Sequence, residues 1–362
     1  MSTLSSSPPS SPHITGAASV QKVMLLVAAA LLPGTMFGIY QFGWPALFLF
    51  LITVFSAVLF EAIALKMAGK PVRIYCMDFS ALLTGWLLAM TLPPWAPWWI
   101  GVLGSFFAIV IGKQIFGGLG QNLFNPAMLA RTILLISFPL EMTTWIAPKP
   151  FGSATAPDAA SGWALTWNGI PDLDAVSSAS ALGHLRTELT RGESAQDVLI
   201  SMYDPVASAV GTISGSLGET SAILFLLGGL FLIFKRVISW HIPVAMLVSV
   251  LLLSSIFTLV DPNHYAGPLF HLLNGGLMLG AFFIATDPVT SPVSNLGKLV
   301  FGAGVGVLVF IIRSWGGYPE GMAFAVLLMN AATPLIDHYI KPRIYGHPGN
   351  RIGRFFRKLK QD

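Results

Sequence analysis

Hydroxyl side chains cluster in one polar segment, residues 172–182, where two aspartates precede Ser177, Ser178 and Ser180. The small residues around these serines allow a turn that presents a hydroxyl oxygen, and such an oxygen can carry a covalent ester. The same composition is also that of a Ser/Ala-rich surface loop. The segment is therefore a candidate attachment site whose meaning depends on the rest of the chain.

A glycine-rich run, FGGLGQNLFNP, occupies residues 116–126. Its glycines, Gly118 among them, allow the backbone to approach a ligand closely. Asn122 and Asn125 offer uncharged donors and acceptors that suit a planar ring system such as an isoalloxazine. The alternative is a tight re-entrant turn capped by asparagine, and no strand precedes the run, as a dinucleotide fingerprint would require.

Ionisable side chains inside apolar segments are candidates for function by default. Arg131 lies five residues into a predicted helix, where it could face a flavin phosphate, a dipyrimidine carbonyl or a partner acid. Asp287 lies at a helix end broken by Pro288, where it could hold a cation or an N–H group. Glu61, Asp78, Arg313, Asp337 and His338 are nearer the ends of segments, where contact with the membrane interface explains them.

The sequence contains no recognisable catalytic or metal-binding motif. No histidine pair has metal-ligand spacing, and there is no nucleophile elbow, P-loop or HExxH run. The single cysteine, Cys76, excludes a disulfide framework within this chain. We therefore predict no catalytic side chain and no metal site, and we expect any chemistry to belong to a bound cofactor.

The composition predicts an all-α polytopic membrane protein. Apolar residues make up 54% of the chain and charged residues 10%, whereas soluble domains carry about a quarter charged residues. Long apolar runs predict ten transmembrane helices, several of them shorter than the usual length and interrupted by proline. The predicted spans are 23–40, 44–65, 79–92, 98–115, 126–145, 219–234, 239–260, 268–286, 298–312 and 321–339.

The basic residues predict the orientation in the membrane. Most of the 20 Lys and Arg residues fall on one side, and the loops 41–43, 93–97 and 261–267 carry none. Those on the shared side are Lys22, Lys66, Lys70, Arg73, Lys113, Lys235, Arg236, Lys298, Lys341, Arg343, Arg351, Arg354, Arg357, Lys358 and Lys360. We expect an inner-membrane protein with both termini cytoplasmic and the long loop, 146–218, periplasmic. The net charge of +4 follows this topology and does not indicate nucleic acid.

Landmarks repeat in order between the two halves. The broken ends at 90–93 and 285–288 coincide when residues 80–86 are aligned with 275–281. Five spans in each half, an odd number, predict two inverted five-helix repeats with binding sites near the midplane. Chance similarity between apolar segments is the alternative.

The predicted organisation of the chain follows from these spans. It is a disordered cytoplasmic tail over 1–20 without a cleavable signal peptide, a first membrane repeat over 21–145, a periplasmic loop over 146–218, a second repeat over 219–340, and a basic cytoplasmic tail over 341–362.

Several motifs together resemble one known family, RnfD, the D component of the Rnf electron transport complex, which is similar to the B component of the sodium-translocating NADH:quinone reductase. The resemblance covers about residues 20–348. The motifs are FGGLGQNLFNPAM at 116–128, LISFPLEMTTW at 135–145, LGAFFIATDPVT at 279–290, RSWGGYPEGMAF at 313–324, and the segment 334–347.

The resemblance implies a fold like that of urea transporters and FMN esterified on the long loop by a flavin transferase. The family motif usually reads Ser/Thr-Gly-Ala-Thr, so Ser177, Ala179 and Ser180 occupy motif positions, with Ser180 as acceptor in place of Thr. Ser178 replaces the usual Gly. His184 and Arg186 follow closely and could pair with the phosphate. A second, non-covalent flavin such as riboflavin is implied between the repeats.

The resemblance implies the membrane component of a redox-driven ion pump. Electrons would pass between NADH and ferredoxin through partner subunits that carry iron–sulfur centres and flavins, and H⁺ or Na⁺ would be moved across the lipid bilayer. The membrane core would hold a flavin or an ion path near Gly118, Asn122, Asn125 and Asp287. A solute channel of the same fold without redox function, or a structural scaffold subunit, remains the alternative.

Overall fold

The computed structural model describes residues 19–170, 177–318 and 320–342, and these are mostly helical. Most of the two predicted tails, 1–18 and 343–362, lies outside the described residues, as do Asp172 and Asp174.

The helices that build the membrane-embedded part, in chain order, are α1 (Val20–Met67), α2 (Val72–Cys76), α3 (Ser80–Thr91), α4 (Trp98–Phe106, continued by a π-helix, Phe107–Gln114), α5 (Pro126–Ser137) and α6 (Pro139–Thr143). The long loop contains β1 (Trp145–Ile146), α7 (Ala159–Asn168), β2 (Ser177–Ser178), α8 (Ala181–Thr190), α9 (Ala195–Met202), α10 (Pro205–Val210) and a 3₁₀ turn (Leu217–Glu219). The second half contains α11 (Ala222–Phe234), α12 (His241–Val260), α13 (Pro268–Leu273), α14 (Leu277–Leu279, continued by a π-helix, Gly280–Ile284), α15 (Asn295–Trp315) and α16 (Met322–Tyr339).

Within the described part of the chain, three helices, α1, α12 and α15, are long and apolar enough to cross a membrane, and α3, α4, α5 and α11 are shorter and apolar. The molecule is therefore a helical membrane protein. The exact number of spans stays a prediction because several apolar helices are shorter than a bilayer is thick.

Helix α1 consists of two helical segments joined at a kink. Gly43 has φ +74° and ψ −157°, which is not helical, and the two segments match the predicted spans 23–40 and 44–65. At the kink, the backbone N–H of Lys149 donates to the carbonyl of Gln41 over 2.8 Å. A glycine permits this conformation, which L side chains rarely adopt.

Two predicted spans are wrong in their continuity. The predicted span 268–286 is divided between α13 and α14 by Asn274–Gly276, where Gly275 has φ +69°. The predicted span 126–145 ends as a helix at Ser137 and restarts at Pro139. Proline lacks the N–H that would continue the helical ladder, so α5 ends before it.

The long loop contacts the three short loops that were predicted to share its side. Besides the bond to Gln41, Lys149 places its ammonium 5.1 Å from the centre of the Trp95 ring. Ala195 donates its N–H to the carbonyl of Asn263 over 2.6 Å. The four loops therefore lie on one face of the molecule.

Helices α12 and α15 make close backbone contact through glycine. A Cβ on Gly302 would lie 2.6 Å from the carbonyl oxygen of Ile242, whereas a Cβ on Gly304 would meet only the flexible end of Met329. Small residues allow helices in membranes to approach closely, and their dispersion contacts replace the hydrophobic effect that is missing there.

We expect Gly302→Ala to lower the free energy of unfolding by about 1–3 kcal/mol, because the new methyl group must push two backbones apart. Gly304→Ala is the matched control, since it makes the same change in helix propensity and Met329 can move. Thermal melting of the detergent-solubilised protein compares the two variants. Equal melting temperatures would contradict the packing argument.

Candidate cofactor and ion site

Ser180 is the N-cap residue of α8. Its Oγ accepts a hydrogen bond from the Gly183 N–H over 3.2 Å, and the residue is only 6% exposed. Strand β2, two residues upstream, pairs antiparallel with β1, with Ser178 opposite Trp145 and Ser177 opposite Ile146. The pairing fixes the backbone that leads into the cap, so the hydroxyl of Ser180 has a defined position at a helix N-terminus.

A cavity of about 230 Å³ lies beside this N-terminus and is lined by Ala179, Ala181 and His184. The Nδ1 atom of His184 is buried and has no hydrogen-bond partner among the described residues. Tyr203 and Phe270 form another wall, with ring centroids 5.1 Å apart in a T-shaped arrangement. Burial raises the pKa of the Tyr203 phenol, which therefore stays uncharged at neutral pH.

Arg186 faces a different cavity from the one beside Ser180. Its Nη1 donates to the carbonyl of Tyr318 over 3.4 Å, and it lines a space of about 270 Å³ together with His271 and Arg313. His184 lies four residues after Ser180 and shares its helix face, whereas Arg186 lies six residues after it and does not. The structure thus brings together Ala179, Ser180 and His184, and it separates Arg186 from them.

The side chain of Ser177 lies outside what the structure describes, although its backbone belongs to β2. The predicted pairing of this serine with a ligand therefore stays a prediction.

Asn122 and Asp287 line a second cavity, on the opposite side of the core, together with Thr84 and Lys113. The space open to water in it is about 90 Å³, enough for several water molecules at roughly 10–15 Å³ each. The Oδ1 atom of Asn122 is buried without a partner among the described residues. Asp287 accepts hydrogen bonds from the Val289 N–H and the Thr290 hydroxyl, so it does hold an N–H group as the sequence allowed.

Asn125 and Gly118 have structural positions near this cavity without lining it. Asn125 caps α5 through its Oδ1, which accepts from the N–H groups of Ala127 and Met128. Its Nδ2 donates to the carbonyl of Ile284, the last residue of the π-helix after α14. Gly118 is buried with φ +109° in the turn before α5, as the alternative of an asparagine-capped turn predicted.

Arg131 lies at the centre of a buried charge cluster. Its Nη2 lies 2.8 Å from Glu320 Oε2 and 4.0 Å from Glu219 Oε1, and its Nη1 donates to the carbonyl of Thr91 at the end of α3. Of the partners that the sequence left open, the structure provides a partner acid, Glu320; the backbone carbonyl of Thr91 was not predicted.

Sequence analysis missed three members of this cluster, Glu219, Glu320 and Arg313. Arg313 was attributed to the membrane interface, yet it is buried and donates to the carbonyls of His271 (2.7 Å) and Asn274 (2.9 Å). The available signal was the rarity of charge, because only 10% of residues are charged and these carboxylates have no adjacent basic residue in sequence.

A second buried ion pair was also missed. Lys113 was counted among the basic residues that set the orientation, although it lies within the predicted span 98–115. The structure places it in the π-helix after α4, where it is 2% exposed. Its Nζ lies 2.8 Å from Glu61 Oε1 and 2.7 Å from Ser80 Oγ. A lysine with this degree of burial needs a partner, and Glu61, 52 residues earlier, supplies the charge.

We expect Arg131→Leu to lower the free energy of unfolding by about 3–5 kcal/mol, because it leaves Glu320 buried and unpaired. Arg191→Leu removes the partner of Glu188 from an ion pair in which Arg191 is 67% exposed, and we expect a loss of at most about 1 kcal/mol. Thermal melting of both variants in detergent measures the difference. Equal losses would show that the buried cluster does not stabilise the fold.

Among the described residues, no group of three or more His, Cys, Asp or Glu side chains is arranged to hold a metal ion. The polar centre of the molecule is instead built from guanidinium, carboxyl and backbone carbonyl groups.

Comparison with known proteins gives a consistent result. The model of the NQR2, RnfD, RnfE family matches residues 8–346. A protein of Stutzerimonas stutzeri, named as the D component of the ion-translocating oxidoreductase complex, is 57% identical over 328 residues, which are 91% of this chain and 92% of that protein. Proteins of the same name from Halorhodospira halophila and Rhodobacter capsulatus are each 51% identical, over 94% and 84% of this chain and 95% and 85% of their own.

Proposed function

This chain belongs to the NQR2, RnfD, RnfE family, and we propose from this that it is the membrane component of an ion-translocating oxidoreductase complex. Electrons pass between NADH and ferredoxin through partner subunits with iron–sulfur centres and flavins, and their passage drives H⁺ or Na⁺ across the membrane. In this proposal the chain has no catalytic side chain and contributes a site for a covalent cofactor.

The observation that carries the proposal is the position of Ser180 at the N-terminus of α8 beside a cavity. The first N–H groups of a helix and its dipole favour a phosphate at this position. A phosphate esterified to Ser180 Oγ would meet the free N–H groups of the first turn. This arrangement supports FMN as the group that the site holds.

The residues around the cavity fit the rest of such a group. Tyr203 and Phe270 offer aromatic surface for a planar ring, and uncharged Tyr203 adds no negative charge. His184 has a buried Nδ1 available for a hydrogen bond to the phosphate. When bound, FMN supplies one- and two-electron transfer, and the protein supplies its position and its exclusion from water.

Attachment requires a flavin transferase and a flavin dinucleotide donor. The Oγ–H bond of Ser180 breaks, an Oγ–P bond forms, and a nucleoside monophosphate leaves as the proton is released. A serine oxygen can form the same ester as the usual threonine, although it lacks the methyl group that restricts its rotamer.

We expect Ser180→Ala to abolish the covalent flavin, whereas Ser180→Thr retains it. Ser194→Ala is the matched control, because Ser194 caps α9 in the same loop through the same kind of hydrogen bond, to the Asp197 N–H. Fluorescence of the protein on a denaturing gel, after expression with the transferase, reads out the bond. A native protein without fluorescence would favour the rival function, a solute channel of the same fold, to which the departures at Ser178 and Ser180 point.

For the membrane arrangement, we propose ten helices in two inverted five-helix repeats, like urea transporters, in the inner membrane. Hydrogen bonds between the two halves of the chain support this arrangement. Asn125 Nδ2 donates to the carbonyl of Ile284, and Arg131 Nη2 donates to Glu320 Oε2. Both termini are cytoplasmic and the long loop is periplasmic, as the exposed basic residues on the opposite face indicate.

The cavity lined by Asn122 and Asp287 is better suited to an ion path than to riboflavin. Its 90 Å³ admits water and a small cation, and a flavin ring would require its apolar walls, Phe282 and Phe283, to move. A negative charge in a site of low dielectric attracts a cation, which is the physical basis of coupling.

We expect Asp287→Asn to lower ion flux per electron while electron transfer continues, because the carboxylate at the cavity wall is lost. Asp261→Asn, in an exposed loop, is the control and keeps the native ratio. Ion uptake into vesicles containing the whole complex, measured beside NADH oxidation, gives the ratio. An unchanged ratio in Asp287→Asn would remove this residue from the ion path.

A further inference from the structure

Two carboxyl groups of the buried cluster flank the same guanidinium. The Nη2 atom of Arg131 lies 2.8 Å from Glu320 Oε2 and 4.0 Å from Glu219 Oε1. Two carboxylates beside one guanidinium repel each other, and a proton on one of them removes this repulsion. The geometry is therefore that of a pair that can bind one proton.

The charges around the pair come from three helices. Arg131 projects from α5, Arg313 from α15, and His271 from α13 contacts Arg313 through its backbone carbonyl. With both carboxyl groups ionised and the histidine neutral, the two arginines and two glutamates sum to zero charge. With one shared proton they sum to +1.

The other contacts of the pair favour a proton over a metal cation. Glu320 Oε1 accepts the Gly276 N–H, and Glu219 Oε1 accepts the Ser216 hydroxyl over 2.9 Å. Three of the four carboxylate oxygens thus accept from N–H or O–H donors, since Glu320 Oε2 accepts from Arg131. The guanidinium groups of Arg131 and Arg313 lie near the pair and repel a metal ion. A proton needs only one oxygen lone pair.

Water can approach the pair from the face that carries the long loop. The cavity of about 270 Å³ under α8 is lined by Arg186, His271 and Arg313. The Nε atom of Arg313 and the Nδ1 atom of His271 are buried there without hydrogen-bond partners among the described residues. Polar walls in a cavity of this size can hold water. Arg313 lines the cavity and also lies near Glu320, because a Cβ on Gly275 would meet both Arg313 Nη2 and Glu320 Oε1.

The first turn of α8, which Ser180 caps, lies near Glu320. A Cβ on Gly275, which has φ +69°, would lie 2.8 Å from Leu182 and 3.3 Å from Glu320 Oε1. Leu182 is in the first turn of α8. The first turn of α8 and the carboxyl group of Glu320 therefore both lie beside the backbone of Gly275.

We propose that Glu219 and Glu320 form a proton-binding site that takes up one proton from loop-side water when an electron reaches the cofactor held by Ser180. The electron is supplied by NADH or ferredoxin through the partner subunits, and this step rests on the proposed function. The proton binds a carboxylate oxygen, the cluster changes from neutral to +1, and this charge offsets the added electron. On reoxidation the proton returns to the same cavity.

Infrared difference spectroscopy of the whole complex, reduced minus oxidised, tests the proposal. We expect a carboxylic acid C=O band that appears on reduction, shifts in D₂O, and disappears in Glu219→Gln, which keeps the size of the side chain. Glu188→Gln, on the exposed face of α8, is the control and keeps the band. A pH-indicator dye gives a second readout, the number of protons that the complex takes up on reduction. Compared with the native complex, this number should fall by up to one proton per electron in Glu219→Gln and stay unchanged in Glu188→Gln.

The two proposals fail differently in this experiment. Bleaching of flavin absorbance in the same sample shows that the cofactor is present and becomes reduced. If no bleaching occurs, the proposed function is contradicted. Flavin bleaching without a carboxyl band, or with a band unchanged in Glu219→Gln, overturns the proton site alone. If Glu219→Gln does not assemble, Glu219→Asp serves instead, and a band that keeps its frequency in that variant also overturns the proposal.

Discussion

Helices that end inside a membrane protein leave carbonyl groups without partners, and much of this structure follows from how those groups are satisfied. Lipid offers no hydrogen bonds, so each such end must find a donor within the protein. Arg131 donates to Thr91 at the end of α3, Arg313 to His271 and Asn274 at the end of α13, and Asn125 to Ile284 after α14. Three side chains thus stabilise three interrupted helices.

The use of arginine for this purpose has an electrostatic consequence. A buried guanidinium must be paired, because the cost of removing its charge from water exceeds the gain from carbonyl hydrogen bonds alone. Glu320 pairs with Arg131 over 2.8 Å, and Glu219 lies close to both. The need to cap broken helices therefore places ionisable groups at the centre of a chain that is otherwise apolar, and these groups can respond to charge that arrives nearby.

The position of Ser180 connects this centre to the long loop. Helix α8 packs through Leu182 and Leu185 onto Ala266 and Phe270, so the capped N-terminus is held against the second half of the membrane region. In the proposed function, a cofactor at this N-terminus lies between the loop-side water and the buried charges. In the proposed function, this short helix connects the attachment site at Ser180 to the membrane core.

The sequence predicted those parts of the fold that depend on local chemistry. Proline after Thr91 and after Asp287 indicated helices that stop early, and the rarity of charge drew attention to Arg131. It did not predict Glu320 as the partner of Arg131, because 189 residues separate them and only the packing of the halves brings them together.

Two further misassignments have a similar cause. Lys113 was counted among the basic residues of the cytoplasmic side because its partner, Glu61, is 52 residues away and cannot be recognised from the neighbouring sequence. The break at Gly275 was missed although Asn274-Gly275-Gly276 contains the N-G and G-G dipeptides that mark turns, because the apolar residues on both sides were taken as one span.

The most direct test of the central claim is peptide mass spectrometry of the native protein purified with its complex. The account predicts that the peptide containing Ser180 carries one FMN in phosphoester linkage and that fragmentation assigns the group to Oγ of this residue. An unmodified Ser180 peptide in an active complex would contradict the account, because the cavity beside α8 would then not be the site of a covalent cofactor.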